Sequence, residues 1–179
     1  MKRKWKIGLL FIVLFGIESI FSNYFPEYLF SVNYIFVPRF LFMLLIMVAI
    51  YYDWKKAVYI AALLGAVTDI VFIEVFGIYL FWYPVIIYGI SKLMKIIHSH
   101  LFIVAVVTAL AITVLEFGIY GIFFVLGIHD FSVNYFAENR LVPTLILNEV
   151  MFVLFSYPLK KRLTLWNMEK EEEEGMFQS

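Results

Sequence analysis

The sequence predicts an all-α integral membrane protein built as a bundle of six transmembrane helices. Of its 179 residues, 64% are hydrophobic and only 16% are charged, and the mean hydropathy is +0.91. Soluble domains are about 45–50% apolar and about 25% charged, so a soluble core of this size could not bury so much apolar surface. Since a transmembrane helix needs about 20 apolar residues, six of them account for most of the chain.

The apolar runs assign the first three spans in order. The first, about residues 7–25, follows a basic N-terminus. It is too long for a signal peptide and lacks a small-residue cleavage site, so we interpret it as an uncleaved helix. The second span, 34–52, carries Arg39 directly after Pro38. The third, 57–72, follows a tight basic turn.

The other three spans follow the same pattern. The fourth, 78–94, begins after a short connection, and one broken hairpin across spans three and four is the alternative at this point. The fifth, 101–126, is long enough to tilt, and the sixth, 140–159, ends in a basic run. Residues 1–166 therefore form the predicted membrane domain. Residues 167–179 contain four consecutive Glu and are expected to be a disordered acidic cytoplasmic tail.

The distribution of positive charge predicts the orientation. All Lys and Arg residues except Arg39 and Arg140 fall at the N-terminus, at or after the ends of the second and fourth spans, or after the sixth span. Because positive residues near span ends stay on the cytoplasmic side, both termini are expected in the cytoplasm. The net charge of zero points to no nucleic-acid partner.

Four carboxylates lie inside the predicted spans: Glu18, Asp69, Glu116 and Glu149. With a rise of about 1.5 Å per residue, all four come near the middle of a hydrocarbon core about 30 Å thick. A charge there costs about 2.5–3.5 kcal/mol, so we expect these side chains to face the bundle interior. Arg39, about 6 Å below the outer surface by the same rise, is the best candidate counter-ion, and Arg140 lies near that surface.

This polar layer has two interpretations. Its side chains hold the helices together, or they line a ligand cavity or a groove for a partner helix. Interhelical polar contacts are common in membrane bundles, which favours the first interpretation. Candidate partners inside the bundle are Thr68, Thr113, Tyr120 and Asn148.

Small residues follow one face of the third span: Ala61, Ala62, Gly65 and Ala66. Such faces let helices approach closely. Packing within the chain is the favoured interpretation, and a partner site is the alternative. A similar pattern recurs on the fifth span.

The sequence offers no catalytic, metal or cofactor site. It has no Cys, no Gly-rich phosphate loop and no Ser–His–Asp arrangement. His98 and His100 share one loop without a third ligand nearby, and a metal site needs more. We therefore expect a non-enzymatic membrane protein without a cofactor.

Several motifs resemble those of the rod shape-determining MreD family. Gly65-Ala-Val-Thr-Asp69, followed by Phe76-Gly77-Ile-Tyr79, is similar to that family's central stretch, in which a Gly-rich third span carries an Asp. The last span, with Pro143-Thr-Leu-Ile-Leu-Asn148 and Tyr157-Pro158-Leu159, resembles its C-terminal helix, and Pro38-Arg39 also fits. No family role is carried over to Glu18, Glu116 or Glu149.

The resemblance implies a role in bacterial cell elongation at the cytoplasmic membrane. MreD-like proteins are non-enzymatic partners of MreC, a single-span protein. The assembly links MreB filaments to peptidoglycan synthesis with RodA and a class B penicillin-binding protein. A partner helix could use the small-residue faces, and acidic residues of a partner could meet Arg39 and Arg140.

The main alternative is a substrate-binding S component of an energy-coupling-factor vitamin transporter. Such components also have six spans and cytoplasmic termini, so the fold is expected to be similar and the polar layer would line the vitamin pocket. Against it, the stretch from Gly8 to Glu18 lacks the Ala-x-x-x-Ala face that those subunits use for docking. A structural anchor without a ligand is a third possibility.

Overall fold

The computed structural model describes residues 2–29, 34–72, 75–97, 99–128 and 132–176. It describes the side chains of 8–21, 34–71, 75–97, 99–128 and 132–172. His98 and the end of the predicted tail, 177–179, lie outside the described residues. Within the described ranges every regular element is a helix.

The helices of the described chain come in the following order. They are α1 Lys2–Leu29, α2 Phe40–Tyr51, α3 Trp54–Phe72, α4 Ile78–Leu93, α5 Leu101–Val125, α6 Val133–Phe136 and α7 Val142–Met176. A π-helical turn, Ala137–Leu141, joins α6 to α7. The described chain thus contains six long helices, as predicted, with the last one extended at its start by α6 and the π turn.

Within the described part of the chain, two helical stretches are long and apolar enough to cross a membrane, Leu101–Val125 and Val133–Glu172. Shorter apolar stretches are Gly8–Phe21, Phe40–Tyr51 and Ile78–Leu93. Many large apolar side chains on these helices are exposed, such as Phe102 at 79% and Val153 at 70%. A helix that is apolar on its exposed side as well as its buried side is typical of a membrane environment.

The described chain forms two compact units. The first comprises Met1–Met43 and Ala105–Phe152. An aromatic cluster lies in its core, where the rings of Tyr120 and Phe136 stack with centroids 4.5 Å apart and Leu141 packs beside them. This cluster joins α5 to the start of the last helix.

The second unit comprises Leu44–Val104 and Val153–Ser179. Its main feature is the hairpin of α3 and α4, which pack directly against each other. The hairpin turn contains Gly77 with a φ of 112°, a left-handed conformation that glycine adopts without steric cost.

Two segments differ from the predicted spans. Residues 34–39 are extended rather than helical, so α2 begins only at Phe40. The last helix continues to Met176, so residues 167–176, expected to be disordered, are helical. Lys and Glu are good helix formers, Asn167 donates a hydrogen bond to Glu171 one turn later, and Lys170 contacts Asp53 at 2.8 Å.

Candidate functional site

Glu116 is the centre of a buried polar cluster in the first unit. Its side chain, on α5, has no exposed surface. Its Oε1 accepts hydrogen bonds from Nε and Nη2 of Arg39, at 2.8 and 2.5 Å, and its Oε2 accepts one from Nε of Arg140 at 3.0 Å. The carboxylate therefore pairs with both arginines that the charge pattern leaves on the outer side.

The extended segment 34–39 is held by two side chains of α7. Oδ1 of Asn148 accepts the Arg39 backbone N–H at 2.7 Å, and its Nδ2 donates to the Val37 carbonyl at 2.9 Å. Oγ1 of Thr144 accepts the Val37 N–H at 3.2 Å. In a membrane every backbone polar group needs a partner inside the protein, and Thr144 and Asn148 supply it for this non-helical stretch.

A helix carbonyl completes the support of this segment. Pro143 has no N–H and cannot donate to the Asn139 carbonyl one turn earlier, as a regular helix residue would. The backbone N–H of Ile35 donates to that carbonyl at 2.7 Å instead. The π turn that contains Asn139 and Arg140 therefore faces both the extended segment and Glu116.

Glu18 acts at the start of α2. Its Oε2 accepts the Leu41 backbone N–H at 2.9 Å, and its side chain is buried. The first N–H groups of a helix have no partner within the helix, and a carboxylate there is favoured by the helix dipole. Glu18 thus fixes α1 to the beginning of α2.

Asp69 belongs to the second unit, where it caps α4. Oδ2 accepts the backbone N–H groups of Gly77 and Leu80, each at 3.0 Å, and Oδ1 accepts that of Tyr79 at 2.9 Å. The carboxylate at the end of α3 therefore satisfies the free donors at the N-terminus of the next helix. The structure gives Asp69 a role separate from the cluster around Glu116.

Glu149 differs from the other three carboxylates. It is half-buried on α7, and its Oε1 is buried without a hydrogen-bond partner in the described structure. The same helix face exposes large apolar side chains, with Val142 at 49%, Ile146 at 58% and Val150 at 54%. A polar group in this position is not explained by packing within the first unit.

Gly65, on the small-residue face of α3, packs against α4. A Cβ on Gly65 would lie 2.6 Å from the Tyr79 carbonyl carbon and 2.8 Å from the Leu80 Cα. Ala61 is fully buried, whereas Ala62 and Ala66 are half-buried. Close contact between α3 and α4 therefore requires glycine at position 65.

The hydrogen bonds of Glu18, Asp69 and Glu116 connect segments of the chain within each unit. Among the described residues, no three His, Asp, Glu or Cys side chains group together as metal ligands would.

Thr144 was not singled out in the sequence analysis, although Thr144-x-x-x-Asn148 puts two polar side chains on one face of an apolar helix. The four-residue spacing between Thr144 and Asn148 could have identified Thr144 from the sequence.

Comparison with known proteins identifies the family. A sequence profile described as rod shape-determining protein MreD matches residues 2–165. The chain belongs to the MreD family. It is 26% identical over 169 residues to the rod shape-determining protein MreD of Bacillus subtilis (strain 168), covering 94% of this chain and 97% of that protein. No solved structure matches the chain.

The family assignment confirms the resemblance noted in the sequence. As an MreD-family member, the protein is a rod shape-determining protein and not an enzyme. Together with the two long apolar helices, the assignment indicates a membrane protein.

Proposed function

We propose that this protein is a multi-pass component of the bacterial cell-elongation machinery with both termini in the cytoplasm. It binds an MreC-like single-span protein and helps to couple MreB filaments to peptidoglycan synthesis by RodA and a class B penicillin-binding protein. The observation that carries the proposal is the family match over residues 2–165.

The charge distribution supports the proposed orientation. The second unit places Lys55, Lys56, Lys92 and Lys95 at the start of α3 and the end of α4, with α7 adding further basic residues after Tyr157. Positive residues beside span ends favour the cytoplasmic side. The two exceptions, both in the first unit, are paired with Glu116.

The face of α7 that carries Glu149 supports the proposed partner. A transmembrane partner helix can cover Ile146 and Val150 while a polar or cationic side chain at the same depth contacts the half-exposed carboxyl group of Glu149. Polar contacts between membrane helices contribute about 0.6–2 kcal/mol each. The MreC-like helix is the occupant we assign to this face.

Cysteine labelling tests the orientation, since the chain contains no Cys of its own. We expect Asn134→Cys, an exposed position between α5 and α7, to react with a membrane-impermeant maleimide in intact cells. Ile96→Cys, 84% exposed after α4, should react only after permeabilisation. The reverse pattern would contradict the proposed topology.

Co-purification tests the partner. MreC from the same genome should co-purify with the protein in mild detergent, and Glu149→Leu should weaken this association about 3- to 30-fold. Glu138→Gln, an exposed acidic residue in the π turn, is the matched control and should retain binding. Because Glu149 has a free oxygen, Glu149→Leu should not lower the melting temperature of the protein alone. A lower melting temperature with unchanged MreC binding would assign Glu149 to internal packing.

Depletion tests the cellular role. Loss of the protein should turn rod-shaped cells round, and the wild-type chain should restore the rod. A vitamin that co-purifies in stoichiometric amount, with no MreC-like partner, would favour the transporter alternative instead.

A further inference from the structure

Three lysine ammonium groups converge on one indole ring in the second unit. Trp54 is the first residue of α3. The Nζ atoms of Lys55, Lys92 and Lys95 lie 5.8, 5.6 and 5.0 Å from its ring centroid. The lysines come from the start of α3, the end of α4 and the following turn. Any two of these charges are therefore at most about 11 Å apart, which is close to the Debye length of about 10 Å at 0.1 M salt.

These charges have no anion of their own in the described structure. None of the three lysines has a carboxylate oxygen within 4.0 Å among the described side chains. The neighbouring Asp53 is occupied by Lys56 at 3.2 Å and by Lys170 at 2.8 Å, and its Oδ1 also accepts backbone N–H groups at the start of α3. The three ammonium groups are exposed, so together they form a site of positive charge that is open to an anion.

The aromatic side chains indicate that the anion belongs to a lipid. Tyr88 lies beside Trp54, with ring centroids 6.3 Å apart, and Lys92 Nζ is 5.2 Å from the Tyr88 ring. Trp and Tyr are enriched where a membrane meets water. On α4 an exposed stripe leads away from this point, with Tyr88 at 48%, Val85 at 46% and Phe81 at 58% exposure.

The spacing of this stripe fits one acyl chain beside a helix. Phe81, Val85, Tyr88 and Lys92 are separated by steps of four, three and four residues, which puts them on one helix face. The apolar stripe therefore ends at the lysine cluster, as a lipid tail ends at its headgroup. A soluble anion or an acidic peptide would not require the apolar continuation.

We propose that Trp54, Lys55, Tyr88, Lys92 and Lys95 form a binding site for the phosphate of an anionic phospholipid, with an acyl chain lying along the exposed stripe of α4. In the proposed orientation these groups lie at helix ends on the cytoplasmic side, where basic groups are suited to such headgroups. This site goes beyond the proposed function and does not depend on an MreC-like partner.

Native mass spectrometry of the full-length protein tests the site. The protein is incubated in detergent with phosphatidylglycerol or with phosphatidylcholine, and the retained lipid is counted. We expect one preferentially retained phosphatidylglycerol and about a 30-fold loss of affinity in Lys92→Gln/Lys95→Gln. Lys161→Gln/Arg162→Gln removes two exposed charges from the same unit and should retain the lipid. Circular dichroism and melting temperature establish that both variants are folded.

Three results would overturn the proposal. Equal loss in both double variants would indicate a general charge effect rather than a site. Displacement of the lipid by inorganic phosphate alone would indicate a soluble anion. Displacement by a soluble peptide with the sequence of residues 169–175, which contains the four consecutive Glu, would indicate an acidic segment as the occupant. The proposal is supported if Lys161→Gln/Arg162→Gln keeps the preference for phosphatidylglycerol and Lys92→Gln/Lys95→Gln loses it. In addition, neither competitor should displace the lipid.

Discussion

Arg39 donates two hydrogen bonds to a single carboxylate oxygen of Glu116, although the two residues are 77 positions apart in the sequence. The pair is buried, with side-chain exposures of 4% and 0%. It connects the extended segment before α2 to the middle of α5. The second oxygen of Glu116 is engaged by Arg140, so the outer arginines serve the fold of the first unit.

Removing the Glu116 charge should strongly destabilise the protein. Glu116→Gln leaves the Arg39 guanidinium buried without its counter-ion, and breaking a buried ion pair costs about 3–5 kcal/mol. Arg140→Gln should cost less, because Arg140 is 22% exposed and the Arg39 pair stays intact. Thermal unfolding in detergent measures both.

A double variant separates the charge effect from packing. Arg39→Met with Glu116→Leu removes both charges of the buried pair and should recover much of the stability that Glu116→Gln loses, since apolar replacements of buried ion pairs are often neutral or stabilising.

The two single variants test the central position of Glu116. Equal melting temperatures for Glu116→Gln and Arg140→Gln would contradict it.

The contact of α3 with α4 predicts a specific effect of one methyl group. Gly65→Ala puts a Cβ within 3 Å of the α4 backbone, and overpacking of this kind costs about 1–3 kcal/mol. Gly89→Ala on α4 is the control, because a Cβ there meets no atom within 4 Å. It should be neutral or stabilising, since Ala favours a helix over Gly. A melting temperature that falls equally in both variants would exclude close packing as the cause.

Both carboxylate oxygens of Asp69 should be needed to cap α4. Asp69→Asn replaces one carboxylate oxygen with an amide that cannot accept the N–H groups of α4, and each buried donor left unpaired costs about 1–3 kcal/mol. We expect proteolysis between α3 and α4 to become faster in Asp69→Asn than in the wild type. Thr68→Ala is a comparison, since Thr68 bonds only within its own helix, to the Leu64 carbonyl. Unchanged proteolysis of Asp69→Asn would count against the capping role.

The link between Asp53 and the last helix should depend on pH. Burial acts to raise the pKa of Asp53, but hydrogen bonds from Lys170 and Lys56 outweigh it and lower the pKa from 3.8 to about 2. A lowered pKa contributes stability that is present above the unfolded value and is lost as the pH falls through the folded value. The contribution is therefore complete above pH 3.8 and lost around pH 2.

Asp53→Asn isolates this ion pair, because Asn is about as good an N-cap as Asp. The wild type should melt at a higher temperature than the variant at neutral pH, and the difference should close as the pH is lowered from 3.8 towards 2. A difference that is independent of pH would show that the helix cap, not the charge, is responsible.

The candidate site was only partly predictable. The depth of Glu18, Glu116 and Arg39 in the membrane follows from counting residues along a predicted helix. This depth is the reason why the sequence analysis selected them as candidate site residues. Which side chains meet does not follow from it. In a membrane helix, residues that face lipid and residues that face a neighbouring helix are both apolar, so hydrophobic periodicity does not reveal the inward face.

The non-helical backbone of residues 34–39 also could not be predicted from the sequence. The apolar run 34–52 is compatible with a helix throughout, yet its first six residues are extended. That conformation is possible only because Thr144 and Asn148, more than 100 positions later, accept and donate the backbone hydrogen bonds that a helix would have supplied.

The sequence by itself determined the all-helical class, the abundance of apolar surface and the MreD family, because composition, helix length and local motifs are properties of consecutive residues. Only the tertiary structure decided that Glu116 pairs with Arg39 and Arg140, that Asp69 caps α4 in the other unit, and that Glu149 keeps a free oxygen. These outcomes depend on how each helix is rotated about its axis. That rotation is set by packing between distant segments.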